Sequence, residues 1–173
     1  MRGLLQRLDE HSPGEADHGA RVAVYSVAVG ASLSMDEDEL LRLRYAAELH
    51  DIGKLLVPAA YDPLEMRRHP LLGATLVAEY LFLEPASEAI LHHQEWWNGS
   101  GYPSGIVGLS IPVHSRIVAV AEAFDAMTLP SWKSPVPESA ARHELYQLGG
   151  TQFDPAIVEL FLEVQPIIQP FGL

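Results

Sequence analysis

Apolar residues recur at helical spacing along most of the chain. Val22, Tyr25, Val29 and Leu33 follow a repeat of about 3.6 residues, which predicts a helix from about His18 to Ser32. Ser34-Met35-Asp36-Glu37 reads as a capping box, and the acidic Asp38-Glu39 suits the positive end of a helix dipole. They open a second helix that carries Leu40, Leu41, Leu43 and Leu49 and delivers His50 and Asp51 at its end. Gly53 is expected to stop it in a left-handed cap. Asp62-Pro63-Leu64-Glu65 starts a short helix that Pro70 interrupts, and another follows from about Leu71 to Leu83. Pro85 opens a helix that runs through Ile90 to His92-His93. From Trp97 to Pro112 the residues are those of a long loop rich in Gly and Pro. A further helix spans Val113 to about Leu129, one runs from Pro137 to Leu148, and a last one starts at Asp154-Pro155. The opening to Asp17 is polar and turn-rich at Ser12-Pro13-Gly14, and the tail with Pro166 and Pro170 reads as irregular. No stretch alternates apolar and polar residues as a half-buried strand does. The chain is therefore expected to be all-α, with about seven helices.

Its 173 residues suit one domain spanning positions 1–173, long enough to bury about two-thirds of the unfolded surface. With 23 acidic against 11 basic side chains the formal charge is −12. That balance argues against DNA, RNA or an anionic membrane as partner. It leaves room for a small phosphorylated ligand whose charge a metal ion neutralises. There is no cysteine, so any metal must be held by His, Asp and Glu. Met1 to Arg7 has no apolar core of signal-peptide length, and no run approaches the roughly 20 apolar residues of a membrane span. A cytoplasmic location is the expectation.

Within this frame one set of residues carries chemistry. His50-Asp51 gives a nitrogen and an oxygen donor from consecutive positions at a helix end, which suits a borderline or hard divalent ion. His18 falls in the first turn of its helix, His69 at a helix break, and His92-His93 at a helix end. Glu122 and Asp125, three apart, share one helix face, and a buried carboxylate pair needs cations. Lys54 follows Asp51 by three residues, as a surface cation or as a charge aimed at phosphate. Trp96, Trp97 and Tyr102 can anchor their loop or stack a base. Taken singly, each has an ordinary structural reading. Jointly, five of the eight histidines fall in one pattern of helix ends and faces.

That pattern resembles the HD superfamily of metal-dependent phosphohydrolases, and within it the HD-GYP domains. The resemblance rests on His18-Gly19-Ala20-Arg21-Val22, Leu49-His50-Asp51-Ile52-Gly53-Lys54, His69-Pro70-Leu71-Leu72-Gly73 and His92-His93-Gln94-Glu95. It continues through Asn98 to Gly105, with Gly101-Tyr102-Pro103, and through Phe124-Asp125-Ala126 to Gly150–Pro155, covering about residues 10–162. It implies a compact helical bundle with a long Gly-Tyr-Pro loop and a phosphodiesterase that hydrolyses c-di-GMP. It further implies two divalent ions, with Fe, Mn, Zn and Ni all admitted by the ligand types. His18, His50 and Asp51 match the ligands of one, Asp51 bridges to the second, and His69, His92 and His93 match the ligands of the second. Glu122 matches the remaining ligand position. Asp51, Lys54 and Asp125 fall at positions tied to catalysis, and Lys54, Tyr102 and Lys133 at positions facing substrate. A diguanylate cyclase or a sensor as partner, and a homodimer, lie within what such domains do.

The chain departs from the family pattern at four places. Gly14 stands where three-metal members carry Glu, with Glu15 one place off, which argues against a third ion. Glu122 replaces Asp, and the usual Arg-x-Tyr-Arg run is reduced to Ser131-Trp132-Lys133. The segment between Asp51 and His69 is shorter than the family's by about ten residues. Two other readings therefore stand beside the c-di-GMP enzyme. One is a metal-containing module that senses a nucleotide or binds a partner. The other is a phosphohydrolase of another nucleotide.

Overall fold

The computed structural model describes residues 1–57, 62–129 and 134–168. Among them the chain forms nine α-helices and no strand. In order these are α1 (Arg2–His11), α2 (Glu15–Ser32), α3 (Glu37–Leu49), α4 (Pro63–Met66), α5 (His69–Ala78), α6 (Ser87–His92), α7 (Val113–Thr128), α8 (Glu138–Leu148) and α9 (Pro155–Val164). The all-α expectation holds, with more helices than about seven. The first is the clearest difference: the polar opening is helical, because Leu4 and Leu8, one turn apart, bury one face of α1, with Leu5 half-buried beside them, while Gln6, Arg7, Asp9 and Glu10 stay exposed.

Two apolar clusters share the interior. The larger gathers Val22, Tyr25 and Val29 of α2, Leu43 and Ala47 of α3, Ile117, Val118 and Phe124 of α7, Leu145 of α8 and Phe161 of α9. Tyr25, Phe124 and Phe161 meet there with ring centroids 5.2 to 5.7 Å apart, at the tilted and edge-on angles that aromatic quadrupoles favour. The smaller gathers Leu4 and Leu8 of α1, Ala46 and Leu49 of α3, Val77 of α5 and Ile90 of α6. α3 lies between them, giving Leu43 and Ala47 to one and Ala46 and Leu49 to the other. Its C-terminal end is thereby fixed from two sides, and that end carries His50.

Several helix starts are as the residues dictate, with one shift. The capping box that opens α3 is Asp36 with Glu39, each side chain bonding the other's backbone N–H, and not the set beginning at Ser34. Pro70 does not break a helix: it occupies the first turn of α5, where its missing N–H costs nothing, so His69 opens that helix. α5 ends at Ala78, short of Leu83. After α3 the chain enters a tight turn of 3-10 helix, Ile52–Leu56. Gly53 takes no left-handed cap there; it lies instead against the backbone of α5.

The loop between α6 and α7 is ordered by polar anchors. The Trp97 and Asn98 N–H groups donate to the carbonyls of Gln152 and Thr151 at 2.9 and 3.0 Å. The buried Glu95 carboxylate accepts from the Ser104 and Gly105 N–H groups at 2.6 to 3.1 Å. At Gly101 a β-carbon would lie 2.2 Å from the Trp96 nitrogen, so only glycine lets the loop close over that backbone.

Candidate metal centre

The N-terminal parts of α2 and α5 and the C-terminal ends of α3 and α6 converge on Asp51. Three histidines around it share one local device. His50 Nδ1 lies 2.8 Å from the Ala47 carbonyl, His69 Nδ1 2.7 Å from that of Met66, and His93 Nδ1 2.7 Å from that of Ile90. Each imidazole sits three residues after its acceptor and donates its Nδ1–H to it. The tautomer is thereby set, and each Nε2 lone pair is turned inward.

Those lone pairs meet Asp51 and one another. Asp51 Oδ2 is 3.3 Å from His50 Nε2, and Oδ1 is 3.1 Å from His69 Nε2 and 4.0 Å from His93 Nε2. His69 Nε2 and His93 Nε2 are 3.1 Å apart. With both Nδ1 atoms donating elsewhere, two acceptors face each other there. His50 Nε2 is buried without a hydrogen-bond partner. Such an arrangement is repulsive until a cation sits among the atoms. Two trios have donor atoms within 4.8 Å of one another, His18–His50–Asp51 and Asp51–His69–His93. Asp51 is common to both and presents Oδ2 to His50 and Oδ1 to His69 and His93. The donor chemistry, imidazole nitrogen with one carboxylate, fits a divalent transition ion in each trio.

The electrostatics agree. Burial alone would lower the His50 imidazole, but the Asp51 carboxylate outweighs it and lifts the pKa to about 9, so a proton on Nε2 competes with a cation for that lone pair. Burial opposes ionisation of Asp51 too, yet His50 and Lys54 hold it well below the usual carboxylate range. Burial, with His69 and His50 alongside, keeps His93 well below its ordinary value and so neutral. The Asp51 carboxylate is thus kept ionised at the centre and draws positive charge to itself, from His50 and Lys54 here and from a metal ion when one is bound.

Around this centre lies a set of oriented groups. His18 Nδ1 donates to Asp125 Oδ2 at 2.7 Å, and the Arg21 guanidinium grips both oxygens of Asp125 at 2.8 and 2.9 Å. Asp125, almost fully buried, thus orients His18 through its far nitrogen. Lys54 Nζ donates to Asp51 Oδ2 at 2.6 Å and to Glu15 Oε1 at 2.9 Å. Glu122 accepts from the Gln94 amide at 2.9 and 3.2 Å. Glu15, His18, Asp51, Lys54, Glu122 and Asp125 all line a cavity of about 340 Å³. Tyr102 stands with its ring edge-on to His69, centroids 6.5 Å apart. Burial first, then the Glu122 and Asp51 charges, raise its phenol to about 12, so it stays a neutral donor.

Of the residues expected from sequence, His18, His50, Asp51, Lys54, His69, His93, Tyr102, Glu122 and Asp125 are brought around one place. His92 and Glu122 belong to neither trio. The Nδ1 atom of His92 is 3.6 Å from Glu95 Oε1 and, though buried, has no hydrogen bond. Lys133 lies outside the described residues. Sequence reasoning gave no role to Arg21, Gln94 or Glu95. Arg21 follows His18 by three residues, so helical spacing alone puts both on one face. Nothing local pointed to the partner that Gln94 finds 28 residues away.

The HD domain family model matches residues 4–157. A cyclic di-GMP phosphodiesterase of Thermotoga maritima is 35% identical over 176 residues, which is 94% of this chain and 48% of that protein. The cyclic di-GMP phosphodiesterase response regulator RpfG of Xanthomonas campestris is 33% identical over 92% of this chain and 46% of its own length. A 3'3'-cGAMP-specific phosphodiesterase of Vibrio cholerae is 32% identical over 92% of this chain and 33% of its length. The chain therefore spans half or less of the length of these curated relatives. Among solved structures, a cyclic GMP-AMP specific phosphodiesterase of V. cholerae superposes with a TM-score of 0.76 at 23% identity, over 94% of this chain and 47% of that one. The HD domain of the Listeria monocytogenes phosphodiesterase PgpH in complex with cyclic-di-AMP gives 0.64 at 18% identity, over 99% and 100%. Both share the fold. Among the described residues no helix is long and apolar enough to cross a membrane.

Proposed function

This chain belongs to the HD-domain family, and from that premise we propose that it is a metal-dependent phosphodiesterase of the HD-GYP type, acting on cyclic dinucleotides with c-di-GMP as substrate. The observation that supports this most is the inward turn of three fixed Nε2 lone pairs onto one carboxylate with an oxygen for each side. His18, His50 and Asp51 would hold one divalent ion and Asp51, His69 and His93 a second, with Glu122 and His92 as the further donors. When bound, such ions supply Lewis acidity toward phosphoryl oxygen and lower the pKa of water.

The protein's own groups then have separable tasks. Asp51 bridges the two trios, and Asp125 keeps His18 in its tautomer. Lys54 offers its ammonium to the scissile phosphate at the cavity wall. Two carboxylates and burial act on it in opposite senses, and the carboxylates prevail, raising its pKa, so it stays charged. Tyr102 and the Gly-Tyr-Pro loop bound the cleft on the His69 side. Lys54→Ala is expected to lower kcat/KM for c-di-GMP by about 10²-fold while bound metal, measured on the same sample, stays the same. Loss of metal together with activity would make Lys54 a structural partner of Asp51 instead.

The test of the whole reading is turnover of c-di-GMP, 3'3'-cGAMP and cyclic di-AMP by protein loaded with Mn²⁺ or, without oxygen, Fe²⁺. Product is followed by chromatography and metal content is measured alongside. Product from c-di-GMP is expected. Full loading with no product from any of the three would overturn it. That outcome would favour the second reading, a metal-holding module that senses a nucleotide or binds a diguanylate cyclase partner. The ion pairs that already occupy Lys54 are the feature that supports that second reading.

A further inference from the structure

A cyclic dinucleotide carries two phosphodiesters, and only one can lie at Asp51. The other meets a surface whose net charge of −12 repels it, so a free cation within reach of the centre would favour binding. The cations at the centre are already engaged: Lys54 by Glu15 and Asp51, and Arg21 by Asp125. Arg67 is different. Its guanidinium carbon lies 4.6 Å from the centroid of the Tyr102 ring and over its face. It is exposed, and among the described residues its side chain has no ion pair or hydrogen bond. None of the undescribed residues, 58–61, 130–133 and 169–173, has an acidic side chain.

The backbone ties Arg67 to the centre. Arg67 caps the C-terminal end of α4, next to Met66, whose carbonyl takes the Nδ1–H of His69. Tyr102, its platform, stands against the same His69 ring. A guanidinium held over an aromatic face by cation–π attraction keeps its N–H edge free, and that edge binds phosphate in a bidentate way. We propose that Arg67, seated on Tyr102, holds the second, non-scissile phosphate of the bound cyclic dinucleotide. This rests on the cyclic-dinucleotide reading given above. It places a guanidinium on the His69 side of the cleft, in a chain where the Arg-x-Tyr-Arg run is reduced to Ser131-Trp132-Lys133.

The test compares Arg67→Ala and Arg67→Lys with wild type in metal-loaded protein. It reads Kd for c-di-GMP by calorimetry, and kcat and KM for c-di-GMP and for bis(p-nitrophenyl) phosphate, which has a single phosphodiester. Arg68→Ala, which removes the neighbouring arginine that pairs with Glu65 on the surface, is the control. Arg67→Ala is expected to raise Kd and KM for c-di-GMP by about tenfold or more, the size of a lost charge-assisted contact. The rise in KM should be several-fold larger than for the single diester, with kcat for c-di-GMP changed far less, and Arg67→Lys should fall between. Unchanged Kd and KM, or equal losses on both substrates, would overturn the assignment while leaving the enzyme reading intact. Wild-type binding of c-di-GMP that Arg67→Ala weakens, with no turnover of it, of 3'3'-cGAMP or of cyclic di-AMP, would support the assignment and overturn the enzyme reading. A wild type that neither binds nor hydrolyses c-di-GMP, 3'3'-cGAMP or cyclic di-AMP would overturn both.

Discussion

Asp51→Asn is expected to remove metal from both halves of the centre at once and to lower c-di-GMP turnover by on the order of 10³-fold or more. The reason is geometric. Asp51 is the residue common to the two trios, with Oδ2 on the His50 side and Oδ1 on the His69 and His93 side. Asn keeps the shape but loses the charge that offsets two cations, and its amide group puts donors where an acceptor is needed. His18→Ala and His93→Ala each touch a single trio and should each keep part of the metal. The three variants therefore give an ordered result: partial loss, partial loss, near-complete loss. Metal content read by atomic spectroscopy, with the metal-dependent rise in melting temperature as a second readout, separates them. Asp51→Asn that keeps as much metal as either histidine variant would show that Asp51 does not bridge.

How far this centre was legible in the sequence depended on whether the signal was local. His50 and Asp51 could be placed because a capped amphipathic helix ends there, whereas Pro70 reads as a helix break beside His69 and in fact lies in the first turn of the helix that His69 opens. What tertiary packing decides was not legible. The helical opening depends on Leu4 and Leu8 finding the smaller core cluster, and two leucines in a polar run are a weak periodic signal. The pairing of Arg21 with Asp125 spans 104 residues, and that of Lys54 with Glu15 spans 39. Glu95 shows the same limit in another form. Nothing in its neighbourhood in the sequence assigns it a role, yet its carboxylate caps two backbone N–H groups of the Gly-Tyr-Pro loop. The orientation of the imidazoles was equally hidden, since it comes from a carbonyl three residues back whose direction only the backbone reveals.

Gly53→Ala is expected to be among the most damaging changes of a single methyl group in the chain. A β-carbon at Gly53 would lie 2.0 Å from the His69 carbonyl oxygen and 2.5 Å from the Gly73 nitrogen. Both are backbone atoms of α5, so no side chain can swing aside and the two segments must separate. The turn at Ile52–Leu56 follows directly on Asp51, and α5 begins with His69, so separation opens the 3.1 Å approach of Asp51 to His69. Overpacking of this kind costs about 1–3 kcal/mol, or a fall in melting temperature of about 2–12 °C for a domain of this size. Metal should be lost first from the trio that contains His69 and His93. Gly3→Ala is the control, because nothing lies within 4 Å of a β-carbon there and the site is in a helix. It should be neutral or slightly stabilising. Asn at position 53 discriminates further. If Gly53 served as a left-handed cap, Asn would be tolerated, since it visits that conformation more readily than Ala. Because the constraint is the distance to α5, Gly53→Asn should be at least as harmful as Gly53→Ala, and an Asn variant with wild-type melting and metal content would refute the close approach.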